Sequence, residues 1–397
     1  MNYPLLQLKK SEERRLRQGH PWIFSNEINT TITPLKSFSK GQEVMVAAHD
    51  GTKIGVAYVN PHSLITARML TSDLTEAIDV NFFIRRLNRA LSLRERLFTT
   101  PYYRLVFSEA DELPGLVIDR FGDHLAVQLN TAGMEAKKED LREALLSVLP
   151  HTQSILLRND SSIRTQEGLE TYVEPLFGTP PEIVTLEENG VQFHAPFLKG
   201  QKTGWFYDHR YNRLAQKDWV RNCTVLDVFS YLGSFGVQAA CLGASDVTCI
   251  EVSEFASQFI RDNAGLNQVG NKVSVITDDA FDAMKALLKD NRKFEVITLD
   301  PPAFVKKAKD KKEGLIAYQR INELALKLLA DDGILISCSC SMHVSLDELA
   351  NSIQRAAARI NAVTQIIGLG HQGPDHPIHP AIPESNYLKA IVVRKIR

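Results

Sequence analysis

Apolar positions change their spacing along the chain. Up to about residue 72 they fall in short β-branched runs, EVMVAA, KIGVAYV and LITARML, separated by turn signals at His49-Asp50-Gly51 and Asn60-Pro61. Such runs predict strands. SEERRLRQG differs and reads as a short helix closed by Gly19. Residues 78–98, AIDVNFFIRRLNRALSLRERL, have a helical apolar period with an arginine-rich outer face. LPGLVIDRFGDHLAVQLN then predicts two strands around an Arg-Phe-Gly-Asp turn, KKEDLREALLSVL an amphipathic helix, and SILLRND and ETYVEPLF two more strands. Thr179-Pro180-Pro181 marks a candidate break.

From about residue 186 the pattern becomes an alternation. TVLDVFS, VTCIEVS, VSVITDD, FEVITLD and GILISCS alternate with helical segments such as SEFASQFIRDNAGLN, AFDAMKALLKD and YQRINELALKLLA. Continuous β-branched runs alternating with helices predict an α/β architecture with a mostly parallel, doubly wound sheet. The expected organisation is therefore a β-rich segment over 1–72, a compact α+β segment over 73–185 and an α/β segment over 186–397. In doubly wound sheets ligands bind at the carboxyl ends of the strands. Four of these strands carry an acid there: Asp227, Glu251, Asp279 and Asp300.

Composition and charge narrow the function classes. With 44% hydrophobic and 23% charged residues the chain is expected to fold rather than stay disordered. No stretch approaches the ~18 apolar residues of a membrane span, and MNYPLLQLKKSEERRLRQ turns polar too soon for a secretory signal. Five cysteines is an odd number, none precedes Cys223, and no CxxC pair is present. That pattern points to free thiols in a cytoplasmic setting, with Cys223, Cys241 and Cys249 as small core residues. His371, His376 and His379 lack metal-ligand spacing, so no metal is expected. The formal net charge of −1 conceals an uneven distribution. Residues 1–72 hold nine Lys+Arg against five Asp+Glu, a net +4, and the remainder holds 37 against 42, a net −5. A near-neutral total therefore does not exclude an RNA partner held by local basic patches.

The strand-to-helix loop after the first α/β strand carries Asp227, Gly233 and Gly236. It lacks the GxGxxG of a pyrophosphate site, and its leading acid suits a cationic ligand. Glu251, 24 residues after Asp227, is placed for ribose hydroxyls, and Asp279 for an adenine amino group. An adenosine attached to a cationic group is implied: S-adenosylmethionine fits, and NAD fits poorly. The fourth strand ends in Asp300-Pro301-Pro302-Ala303-Phe304, a rigid lip whose aromatic ring is suited to stacking on a base. The fifth ends in Cys338-Ser339-Cys340, with the two sulfurs on one face of the strand. A thiolate there, added at C6 of cytosine, would activate C5 for methylation. The spacing leaves open which cysteine is the nucleophile.

Seven segments together resemble a known family: GHPWIFSNEI (19–28), SEADELPGLVIDRFGD (108–123), GQKTGWFYDHRYNR (200–213), DVFSYLGSFG (227–236), LDPPAF (299–304), SCSCS (337–341) and PESNYLK (383–389). The resemblance is to the PUA-domain-containing class I RNA methyltransferases, among them the bacterial large-subunit ribosomal RNA cytosine-C5 methyltransferases. It implies an N-terminal PUA-like β-barrel, a central small α+β domain and a C-terminal Rossmann-like class I methyltransferase domain. Carried over by position, Gln201, Lys202, Thr203 and Asp208 belong to a segment that closes over the donor. Asp227, Phe229, Tyr231, Gly233, Phe235, Glu251, Asp279 and Asp300 fall in donor motifs, and Cys340 matches the nucleophile. Met342 stands where glycine is expected, and Cys338 is an extra thiol. LDPPAF holds no second, releasing cysteine, so Asp300 or a water must act as the base.

For the substrate, Pro301, Pro302 and Phe304 are expected at the target base, and Arg14, Arg17 and Lys40 on the N-terminal basic face. Lys306, Lys307, Lys309, Lys311 and Lys312 form a lysine-rich loop after LDPPAF. Such residues position a phosphate backbone without reading sequence. The expected activity is S-adenosylmethionine-dependent formation of 5-methylcytosine in large-subunit ribosomal RNA. The alternatives are N-methylation of a guanine or adenine without a covalent intermediate, or a non-catalytic RNA-binding ribosome assembly factor. The sequence leaves the oligomeric state open, a homodimer included.

Overall fold

A computed structural model describes residues 3–397. Its contacts gather into two units. One runs through Val184 and takes in Pro196–Tyr207 and Pro374–Ser385; the other comprises Thr185–Ala195, Asp208–Gly373 and Asn386–Arg397.

The first unit opens with β1 (Leu5–Gln7), α1 (Arg14–Arg17), β2 (Trp22–Phe24), β3 (Gln42–Ala47), β4 (Lys53–Val59) and β5 (Ile65–Thr71). These strands form a sheet of order β1-β3-β4-β5-β2. Leu8 and Ile28 make an isolated antiparallel bridge, which draws the two edge strands toward each other into a half-closed barrel. Alternate residues enclose one core, including Leu6, Ile23, Val44, Val46, Ala57 and Val59, as the two-residue period of strands requires. Met45, Val56, Tyr58 and Leu70 face the other way and join a second core.

That second core is built on α2 (Val80–Leu97) and on β6 (Tyr102–Phe107), β7 (Leu116–Phe121), β8 (His124–Leu129), α3 (Ala132–Ala136), α4 (Lys138–Val148), β9 (Ser154–Asn159), α5 (Ser162–Gln166) and β10 (Tyr172–Gly178). The strands order as β10-β9-β8-β7-β6. Asp79 caps α2 by accepting the Phe82 N–H, and Phe82, Phe83, Leu87 and Leu91 bury its apolar stripe. The outer face expected for all the arginines of α2 requires a correction. Arg94 points inward, fully buried, and makes a bidentate pair with Asp111 at 2.6 and 2.7 Å. Two bonds from one rigid guanidinium fork offset the loss of hydration.

The second unit begins within a hairpin, β11 (Ile183–Glu188) and β12 (Val191–Pro196), which the strand–helix alternation did not reveal. After α6 (Arg210–Ala215) come β13 (Thr224–Val228), α7 (Gly236–Cys241), β14 (Asp246–Glu251), α8 (Glu254–Leu266), β15 (Val273–Thr277), α9 (Ala280–Lys289), β16 (Phe294–Leu299), α10 (Lys311–Leu328), β17 (Leu329–Ser339), α11 (Leu346–Arg359), β18 (Thr364–His371) and β19 (Lys389–Lys395). The sheet order is β15-β14-β13-β16-β17-β19-β18. The first five strands are parallel, and β19 lies antiparallel between β17 and β18. The chain winds outward from β13 in one direction and from β16 in the other, so the switch point, where such sheets open a ligand crevice, lies between them. Val228, Ile297, Leu299 and Leu335 meet Met284, Ile321, Ala325, Leu349 and Ile353 from three helices on one face. This buried layer holds the strand ends in place.

Candidate functional site

The loop after β13 is built around a buried carboxylate. Asp227 is 1% exposed; its Oδ2 accepts the Gly236 N–H at 2.9 Å, and its carbonyl accepts the Ser230 hydroxyl at 2.7 Å. Its Oδ1 is buried without a hydrogen-bond partner among the described residues. Burial, followed by the charges of Asp300 and Glu251, raises the Asp227 carboxyl from 3.8 to about 7, against the lowering pull of Gly236 and Ser230. A second cation-seeking sign is the backbone: Phe229 and Tyr231 hold φ of +67° and +51°. Non-glycine residues reach that region only at a cost, and such positions concentrate at functional sites.

The two loop glycines have a more internal purpose than the sequence suggested. A Cβ on Gly236 would lie 2.5 Å from the Cys249 sulfur and 3.1 Å from Asp227 Oδ2; one on Gly233, which holds φ +81°, would lie 2.8 Å from a Val237 methyl. Both let α7 settle onto the sheet, and that packing aims Asp227.

Glu251 ends β14. Its Oε2 accepts the Tyr231 N–H and its Oε1 the Ser253 N–H, each at 2.9 Å, so it ties the β13 loop to the next turn. Burial raises its carboxyl, and those N–H groups pull it down. Each oxygen keeps a further lone pair for a ligand. Val252, directly after it, is 70% exposed, an apolar side chain at the strand end that sequence reasoning passed over. Asp279 caps α9: its Oδ1 accepts the N–H groups of Phe281 and Asp282 at 2.9 and 3.3 Å. Only one of its oxygens is committed to the helix.

The end of β16 adds a partner that the motif could not reveal. Asp300 Oδ1 lies 3.1 Å from Nε2 of the buried His209. The neighbouring Asp208 carboxylate accepts the Tyr387 hydroxyl, and its carbonyl accepts the Gly373 N–H at 2.8 Å. Pro301 is buried and Pro302 exposed. Phe304 is half-buried within an aromatic group, 4.9 Å from the Tyr318 ring, 6.4 Å from Phe229 and 6.5 Å from Phe281.

On β17 the two cysteines differ. Cys338 is fully buried, and its thiol is pushed well above the usual range by burial, then by Asp300, Cys340 and Asp227. With His209 and Asp300 it forms the one group of three potential metal ligands among the described residues, their donor atoms within 4.8 Å of one another. The acids that raise the thiol disfavour the thiolate that ligation requires. Cys340 follows the last residue of β17 and is partly exposed. Around it Tyr318 bridges two serines, 2.8 Å from Ser339 Oγ and 2.9 Å from Ser341 Oγ. Ser341 Oγ also accepts the Val305 N–H at 3.2 Å, which fastens the proline lip to the end of β17. Lys389 faces Ser339 across the ladder, 8% exposed, and its ammonium donates to the carbonyls of Ser341 and Tyr387, each at 2.7 Å. Burial pulls it down to about 8, while Cys340 and Glu348 pull upward.

The fold thus brings Asp227, Glu251, Asp279, Asp300, Cys338 and Cys340 to the carboxyl edge of one sheet, with His209, Tyr318 and Lys389 added. Other candidates lie elsewhere. Gln201, Lys202 and Thr203 belong to the first unit. There Thr203 is buried and donates to Asp119, which Arg104 grips at 2.8 Å, and Lys202 covers the Phe206 ring at 4.7 Å. Arg14 and Arg17 are exposed on α1, also in the first unit, and Lys40 donates to the Gly168 carbonyl at 2.9 Å. Lys306, Lys307 and Lys309 are exposed. Two expectations change. Lys311 and Lys312 open α10 instead of continuing a loop, and Lys311 pairs with Glu348 at 2.7 Å. All five cysteines are free, but only Cys249 of the three expected core thiols is buried; Cys223 is intermediate and Cys241, the last residue of α7, is exposed.

Comparison with known proteins agrees with this geometry. Residues 6–72 match a PUA-like domain, and residues 160–394 match the family described as S-adenosylmethionine-dependent methyltransferase. Proteins named ribosomal RNA large subunit methyltransferase I from Shewanella denitrificans and Escherichia coli are each 36% identical over 394 residues, covering 98% of this chain and 98% of theirs. A Streptococcus mutans chain assigned as a SAM-dependent methyltransferase superposes with a TM-score of 0.82 at 20% identity, covering 98% of this chain and all of its own. An assigned methyltransferase solved in complex with SAH gives 0.83 at 19% identity, covering 99% of this chain and 100% of its own; at these identities both speak to the fold. The chain belongs to the S-adenosylmethionine-dependent methyltransferase family, in the branch that carries an N-terminal PUA-like domain and includes the ribosomal RNA large subunit methyltransferase I proteins.

Proposed function

We propose that the protein forms 5-methylcytosine in large-subunit ribosomal RNA through a covalent adduct with Cys340. The observation that carries this reading is the contrast between two thiols on one strand. Cys338 is buried and held protonated, whereas Cys340 stands partly exposed at the mouth of the crevice. The ribosomal substrate is supported by the end-to-end alignment with relatives of that name.

S-adenosylmethionine is the cofactor, and the unpartnered Asp227 oxygen among three mutually repelling acids suits a cationic ligand. Asp227, Glu251 and Asp279 would hold it, with Phe229, Tyr231, Gly233 and Phe235 shaping the loop and Asp208 nearby in the same unit. Bound there, it supplies a methyl group on a positively charged sulfur, the electrophile that an activated C5 takes up.

Cytosine C5 is a weak nucleophile. The Cys340 thiolate adds to C6, and the C5=C6 electron pair moves into the ring and enriches C5. Once C5 carries the methyl group, Asp300, oriented by His209, takes the C5 proton. The C–H pair restores C5=C6, and the C6–S bond breaks to return the thiolate. Pro301, Pro302 and Phe304 form the rim against which the target base lies. Lys306 and Lys307 supply phosphate contacts to this rim, and Arg14 and Arg17 belong to the PUA-like RNA-binding segment. The division into 1–72, 73–185 and 186–397 and a cytoplasmic setting are part of the same reading. No helix among the described residues is long and apolar enough to cross a membrane.

Cys340→Ala is expected to lower methyl transfer on the order of a thousandfold while leaving donor affinity within about twofold. Full activity in that variant would remove the covalent step. Mass spectrometry of the product nucleosides decides the methylated atom, and a methyl group on a base amine would overturn the C5 assignment.

A further inference from the structure

We propose that Lys389 is a positioning residue that sets the reactive form of Cys340, its ammonium stabilising the thiolate from inside the sheet. The inference rests on Cys340 being the nucleophile.

A lysine buried in a sheet interior needs compensation, because moving an ammonium out of water is costly unless it is hydrogen-bonded and paired. Lys389 is buried at 8% exposure, yet its two hydrogen-bond partners among the described residues are neutral carbonyls, Ser341 O and Tyr387 O. An ammonium has three donor hydrogens, so one remains. The charged groups that act on it are Cys340 and Glu348. Glu348 is already engaged, by the Lys311 ammonium at 2.7 Å and by the Ser345 N–H at 2.9 Å in the cap of α11. That leaves the Cys340 sulfur as the anion available to Lys389.

The geometry is consistent with this role. The Lys389 backbone sits opposite Ser339, and its ammonium reaches the carbonyl of Ser341. Cys340 lies between those two anchor points. The turn that carries it is fixed by the Tyr318 bridge between Ser339 and Ser341 and by the bond from the Val344 N–H to the Ser341 carbonyl at 3.1 Å. The other titratable groups around the thiol oppose ionisation. Asp300 follows β16, Cys338 lies on β17, Tyr318 comes from α10 and Glu348 from α11; as anions all would repel a thiolate. Lys389 is the cation that β19 delivers against them. Cysteine reactivity follows the thiolate fraction, and a nearby ammonium raises it.

The test is the pH profile of Cys340 alkylation by iodoacetamide in the full-length protein, read peptide by peptide with mass spectrometry. Lys389→Met removes the charge and keeps an unbranched stem; Lys389→Gln removes the charge and keeps donors for the two carbonyls. Both are expected to move the Cys340 midpoint upward, slowing alkylation at pH 7 by about tenfold and leaving the plateau at high pH unchanged. Lys389→Arg is expected to retain the low midpoint, and the exposed Cys241 serves as an internal control whose profile stays fixed. An unchanged midpoint in whichever neutral variant folds overturns the proposal. The outcome is separable from the reading it rests on. Active Cys340→Ala would remove the nucleophile while the coupling stays measurable, and an unchanged alkylation profile would remove the coupling while Cys340→Ala still reports on the nucleophile.

Discussion

The carboxyl ends of β13 and β17 stand on the same sheet and solve opposite electrostatic problems. At β13 a carboxylate is buried with two other acids in range, and burial with that repulsion lifts Asp227 to about 7. At β17 an ammonium is buried beside a thiol, and burial brings Lys389 down to about 8. Neither group is placed for stability, since an isolated buried charge weakens a fold. Each gains when its counterpart is present: a cationic donor for Asp227, a thiolate for Lys389. One crevice thereby prepares both halves of a methyl transfer, with the electrophile's charge matched on one side and the nucleophile's on the other.

The comparison breaks first at Asp227. Asp227→Asn is expected to weaken S-adenosylmethionine binding on the order of a hundredfold by isothermal titration. The same variant should stabilise the ligand-free protein at pH 8. The folded-state value is raised, so the stability tied to this group is complete below about pH 4 and is lost as pH climbs through about 7. At pH 8 the ionised, buried form costs on the order of 4 kcal/mol, which asparagine removes. The gain in unfolding midpoint should shrink steadily from pH 7 to pH 4; a gain that does not vary with pH would show that Asp227 does not titrate as described. Donor affinity of the wild type should correspondingly fall by up to about tenfold per pH unit below 7, and this slope should flatten in the variant.

A smaller effect is expected on the substrate side. Lys307→Ala should weaken RNA binding a few-fold across sequences and lower the salt slope by about 1, measured by filter binding over a range of salt. An unaltered slope would place that lysine away from the phosphate backbone. The smallest effect sharpens the contrast between the two thiols: Cys338→Ala should leave methyl transfer within about threefold, because that thiol is buried and protonated. A loss as large as that of Cys340→Ala would exchange their roles.

Much of this was legible in the sequence. The β-branched runs and intervening helices mark the parallel strands because a strand buried on both faces must be apolar throughout. The acids stand out for the same reason, as they interrupt such runs at the ends. What escaped was whatever depends on residues brought together from distant segments. His209 precedes α6 and meets Asp300 about ninety residues on; Lys389 sits in an ordinary-looking strand and meets the Ser341 carbonyl. Arg94 read as one more exposed arginine because its helical phase does not disclose Asp111. Gly236 was legible as a glycine but not in its purpose, since the Cys249 sulfur that would strike a Cβ comes from the neighbouring strand.

The position of β19 carries a consequence for biosynthesis. Along the chain it follows every other strand of its sheet, yet in space it lies between β17 and β18. About fifty residues separate Cys340 from Lys389, so a chain emerging vectorially from the ribosome exposes the sulfur well before the ammonium. Until that last ladder zips in, β17 presents a bare edge and β18 has no neighbour in its sheet. Maturation of the thiol is thus timed by the closing step of folding, and a nascent chain carries its sulfur in a less reactive state until the sheet is whole.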